Sequence, residues 1–74
     1  MTIKVKSDGA VHEGKDAAAV VTAMKNSSPF NRGMSVMEYL PKVREWSGEQ
    51  GIDVTSPEAF LDSLNRLGLI QILN

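Results

Sequence analysis

Thr2-Ile3-Lys4-Val5-Lys6-Ser7-Asp8-Gly9-Ala10-Val11-His12-Glu13 decides the fold class. Ile3 and Val5 fall on one side of an extended chain and Thr2, Lys4 and Lys6 on the other, the period of two that marks a half-buried strand. Asp8-Gly9 is a favoured hairpin turn, because glycine takes a positive φ without a steric clash. Residues 10–13 then return as a second strand, with Val11 inward and His12 exposed.

The far end of the chain supplies a third strand. Leu69-Ile70-Gln71-Ile72-Leu73 is apolar on both faces, which calls for a central or covered place in a sheet. It is expected to rejoin the hairpin, with Ile70 or Ile72 against the Ile3/Val5 strand.

Three helices lie between. Lys15–Asn26 places Ala17, Val20, Val21 and Met24 on one side and Ala18, Thr22 and Lys25 on the other. Its start has little to cap it beyond Gly14, with Asp16 in the first turn, and it should stop before Pro29. The second helix opens on a Ser35–Glu38 capping box with a Met34/Tyr39 staple. Val36, Tyr39, Leu40, Val43 and Trp46 form its stripe, and Gly51 is the expected left-handed terminator, with Ile52 folding back toward Trp46. Pro41 removes a backbone bond inside it, so a kink or two shorter helices are expected. Ile52–Val54 reads equally as a short strand or an extended connection. The third helix starts at Ser56-Pro57-Glu58, buries Phe60, Leu61, Leu64 and Leu67, and ends at Gly68 with Leu69 packing back on Leu64.

The expected architecture is therefore α+β: a small antiparallel sheet, the N-terminal β-hairpin plus the C-terminal strand, packed on one face by three helices. No repeat, low-complexity tract or linker interrupts residues 1–74, which read as a single compact domain.

Composition narrows the function. With no cysteine among 74 residues, neither a disulfide nor a thiolate metal site is available, and stability rests on packing an apolar set that is 42% of the chain. The formal charge of −1 lacks the basic excess usual in nucleic-acid binders. The halves differ modestly: residues 1–37 carry five basic and three acidic side chains, residues 38–74 three and six. No apolar stretch follows the first charged residues, so no signal peptide is expected, and the run Leu67–Leu73 is too short to span a bilayer. A cytoplasmic protein without membrane association is the expectation.

Two short likenesses to known families bear on function. Asp62-Ser63-Leu64 resembles the pantetheine attachment site of acyl carrier proteins. In that family the serine opens a helix in mid-chain and a long acidic helix follows. Here Ser63 falls inside the last helix, so no attachment site is assigned to it. Phe60–Leu73 is similar to the second helix and following strand of a winged helix-turn-helix domain, over about a fifth of the chain. A recognition helix offers Arg, Lys, Asn or Gln near its N-terminus, whereas this one opens Pro57-Glu58-Ala59 and continues with Asp62. Only Asn65 and Arg66, at its far end, fit that role.

His12 is the single histidine, and with no second His or Cys to converge on a metal it reads as a plain strand residue. No catalytic residue, cofactor-binding residue or metal ligand is assigned, and the chain is not expected to be an enzyme. The segment most like a site is the loop Ser27–Gly33 and the start of the second helix. It gathers an aromatic, a guanidinium and two methionines: Phe30, Asn31, Arg32, Met34 and Met37 are the candidate partner-contact residues. The expected function is a small interaction module that contacts another protein or a second copy of itself. The alternative is a nucleic-acid-associated regulator using the winged-helix-like C-terminal unit with Lys4, Lys6, Lys25 and Arg32.

Overall fold

A computed structural model describes all residues 1–74. The order of elements is β1 (Thr2–Val5), β2 (Val11–Glu13), α1 (Ala17–Asn26), α2 (Val36–Ser47), α3 (Pro57–Arg66) and β3 (Ile70–Ile72). The sheet is antiparallel in the order β2-β1-β3, and the helices pack against it, giving the α+β architecture expected.

Register decides which side chains enter the core. Ile3 lies opposite His12 on one side and Ile72 on the other, and Val5 opposite Ile70. The third strand thus meets the Ile3/Val5 strand as expected. It occupies an edge rather than the centre, and α3 covers the face carrying the buried Ile70. Lys4 lies opposite Val11 and Gln71 on the outer face. This corrects the inward assignment of Val11, which is exposed, while His12 is half-buried on the inner face. The cause is the turn. Val5 donates to Ala10 O and Gly9 to Val5 O, so four residues, 6–9, form the loop, and Gly9 takes φ 75°. A four-residue loop pairs Val5 with Ala10 and sets Val11 opposite the outward Lys4, as any even-numbered loop here sets it opposite an outward lysine.

Gly14 carries a constraint of its own. It exchanges backbone hydrogen bonds with Met1 in both directions. A Cβ here would lie 2.6 Å from Ala19 Cβ and 2.9 Å from Val20 N. Only glycine lets the hairpin lie this close to α1. The start of α1 is better capped than expected: Asp16 is the N-cap, its carboxylate accepting from Ala19 N at 2.9 Å.

The core comprises Ile3, Ala17, Val20, Val21, Tyr39, Leu40, Ile52, Phe60, Leu61, Leu64 and Ile70. Helix α2 runs unbroken through Pro41, which is exposed, so the Met37 carbonyl left without its helical donor can turn to water. Ser35 caps it by accepting from Glu38 N, and the Ser35 hydroxyl in turn donates to the Glu38 carboxylate. Termination comes at Gly48 (φ 72°), not Gly51, because Gly48 is the first residue able to take the left-handed cap. With the helix ended there, Trp46 lies in its last turn at the stripe's margin and is exposed. Burial on α2 centres instead on Tyr39 and Leu40, and confinement raises the Tyr39 phenol above its ordinary pKa.

Residues 52–54 form no strand. Ile52 is buried, and Asp53 N donates to Ser63 Oγ, whose hydroxyl donates to Phe60 O. Helix α3 starts on its Ser56 cap and closes with Leu69 N to Leu64 O and Gly68 N to Asn65 O, the paired bonds of a Schellman motif. Leu67 falls at the C-cap and is partly exposed, contrary to its expected place in the core.

Candidate interaction surface

Helix α1 has no glycine to close its C-terminus, so its last four carbonyls need donors from elsewhere. The loop that follows supplies them. Ser27 N donates to Ala23 O, Ser27 Oγ to Met24 O at 2.6 Å, and Ser28 N to Lys25 O. Asn26 O, the last of the four, accepts from Arg32 Nε at 3.1 Å.

Lys25 makes the reciprocal tie. Expected on the outward side of α1, it is 6% exposed. Its Nζ donates to Asn26 Oδ1 at 2.7 Å and to Arg32 O at 3.2 Å. Burial follows from the loop folding back over the last turn of α1, with the lysine's methylene stem beneath it. The cation also sits at the negative end of the helix dipole. Two turns complete the loop, Asn31 N to Ser28 O and Met34 N to Asn31 O, both at 3.1 Å.

On this tied backbone the candidate residues separate. Phe30 is 92% exposed, the most exposed large apolar side chain of the chain. Met37, in the first turn of α2, is also exposed. Met34 packs partly against the core, Asn31 is half-buried within the turns, and Arg32 lies at the surface with Nε engaged. The two terminal guanidinium nitrogens of Arg32 make no hydrogen bond within the chain.

The other sequence-level candidates are placed as follows. Ser63 is 1% exposed and bonded on both sides, a clamp between α3 and the 52–55 segment. On the outward side of α3, Glu58, Asp62, Asn65 and Arg66 are exposed, and Arg66 pairs with Asp62 at 3.4 Å. Of the basic residues considered for nucleic acid, Lys4 and Lys6 are exposed and Lys25 is buried. Asp53 closes a local turn with Thr55, and the Thr55 hydroxyl and amide hold its carboxyl below the ordinary aspartate value. The surface carries no pocket, no three His, Asp or Glu side chains gather as metal ligands would, and no helix is long and apolar enough to cross a membrane.

Sequence reading missed the capping role of Arg32 and the burial of Lys25. The available signal was the lack of a terminating glycine after Asn26, which leaves α1 dependent on donors further along the chain. No protein-family model matches the chain, and neither the search of curated proteins nor that of solved structures returned a similar one.

Proposed function

We propose that the chain is a non-enzymatic interaction module whose product is a contact with another protein, centred on Phe30 with Met37 and Arg32. The observation that carries this reading is the exposure of Phe30, 92%, on a loop bonded at both ends to α1. An exposed phenylalanine gives up roughly 1.5–3 kcal/mol of burial that a partner can recover. The ties at Lys25 and Arg32 hold the loop before any partner arrives, which lowers the ordering cost of binding. Aromatic and arginine side chains are the types that concentrate binding energy in protein contacts. A cysteine-free composition supports a cytoplasmic setting.

The test is affinity capture from a lysate of the host cells with wild type, Phe30→Ala and Met37→Ala, read by quantitative mass spectrometry. A protein recovered by wild type and depleted at least about tenfold by Phe30→Ala, at unchanged melting temperature, supports the reading. Identical recovery by all three chains overturns it.

A further inference from the structure

Around the Phe30 loop, two cations are held within one short stretch of backbone, and neither has a counter-charge. Lys25 Nζ and the Arg32 guanidinium are joined through Arg32 O and Asn26 O. The only ion pair of the chain, Asp62 with Arg66, lies elsewhere on α3. Glu38, the nearest acid along α2, already accepts from its own N-cap serine. An ammonium that is 6% exposed is poorly screened by water, so its field persists at the loop surface.

We infer that this surface recognises an acidic peptide segment, in which a carboxylate meets the terminal guanidinium nitrogens of Arg32 beside an apolar side chain laid on Phe30. The inference rests on the contact reading above and names the partner's chemistry. Arg32 suits the role because Asn26 O occupies only Nε. Nη1 and Nη2 remain as a fork, and a fork matches the two oxygens of a carboxylate. The Asn26 bond also fixes the guanidinium before binding, so little side-chain freedom is lost on contact. Lys25 does not touch the partner. It contributes charge from beneath, and the positive end of the loop steers the acid toward Arg32.

The probe is a random library of about twelve-residue peptides on phage, a length sufficient to cross one loop. It is panned on the wild-type chain and counter-selected on Phe30→Ala. The expected survivors carry Asp or Glu within a few positions of an aromatic or aliphatic residue. Synthetic copies should bind Arg32→Gln about tenfold more weakly and Arg32→Lys less so. Both substitutes keep a donor for Asn26 O, so the melting temperature checks that the loop tie survives. Raising salt from about 0.05 to 0.5 M should weaken wild type and leave Arg32→Gln nearly unmoved. Survivors that depend on Phe30 but show no acid enrichment overturn this inference and leave the contact reading standing. A panning with no Phe30-dependent survivors overturns both. A pool of DNA duplexes that binds more tightly than the selected peptides, and loses affinity with Arg32→Gln, replaces the acidic peptide by a phosphate backbone and overturns the inference as well.

Discussion

The stretch from Pro57 to Ile72 and the stretch from Asn26 to Met37 treat their apolar residues in opposite ways. In the first, Phe60 is 0% exposed, and Leu61, Leu64 and Ile70 surround it in the core. In the second, Phe30 is 92% exposed and Met37 is open beside the start of α2. Both stretches are well bonded. A Ser56 cap, the Ser63 clamp and a Schellman closure fix α3, while Arg32, Lys25 and two turns fix the loop. Order in the first stretch accompanies burial. In the second, Met34 and Val36 pack partly against the core, but polar bonds tie the loop around Phe30 and the aromatic is left outside. That contrast, a phenylalanine held in place without being buried, motivates the contact reading.

The comparison predicts unequal costs for equal substitutions. The largest belongs to Phe60. Phe60→Ala should remove about 3–5 kcal/mol of stability in urea unfolding, enough to unfold much of a domain this small. Phe60→Leu, which preserves most of the volume, should cost under about 1.5 kcal/mol and keep the measurement on scale. A loss below about 1 kcal/mol for the alanine variant would mean that α3 is not the core element described.

Next comes the clamp. Ser63→Ala leaves Asp53 N–H without its acceptor and should cost about 1–3 kcal/mol, more than a typical surface serine. Amide exchange at Asp53 should accelerate in the same variant. An unchanged unfolding midpoint would indicate that water replaces the hydroxyl without penalty.

A smaller effect is expected from acid. The Thr55 hydrogen bonds lower the folded-state pKa of Asp53, so its ionised form favours the native state. That contribution is present above the ordinary aspartate value of 3.8 and is lost as pH falls through the lower folded value. Asp53→Asn should flatten the stability profile below pH 3.8 while leaving neutral-pH folding in place. A carboxyl signal for Asp53 titrating at or above 3.8 contradicts the assignment.

Much of the scaffold was legible because it obeys periodic rules. Ile3 and Val5 announced β1 by alternation, and Ser56-Pro57-Glu58 announced α3 by cap chemistry. Gly68 with Leu69 announced its closure. The misreadings arose where a neighbour outside the local pattern decided the outcome. Val11 reads as inward because it is the apolar residue of its strand, but any even-numbered loop at this hairpin sets it opposite an outward lysine, here Lys4. Gly51 suits the terminator's role in the sequence, but Gly48 precedes it and takes that role. That earlier stop left Trp46 in the final turn of α2, beyond the region where Tyr39 and Leu40 pack. Lys25 looked outward on a helical wheel because the wheel ends at Asn26, whereas its burial depends on a loop that folds back seven positions later. Phe30, Arg32 and Met37 stand out by residue type and by their place in the long loop and at the start of the second helix. The missing glycine after Asn26 signals that α1 needs a later donor, but not that Arg32 is that donor or that Phe30 stands free, since both depend on the path of the loop.

The smallest stability change and the central claim meet at one residue. Phe30→Ala, measured by chemical unfolding and by binding of the recovered partner or selected peptide, separates a presented contact from a structural side chain. The account predicts that unfolding free energy moves by no more than about 0.5 kcal/mol, while affinity falls at least about tenfold. A stability loss above about 2 kcal/mol would show that the ring is part of the core, and unchanged affinity at unchanged stability would show that the contact lies elsewhere.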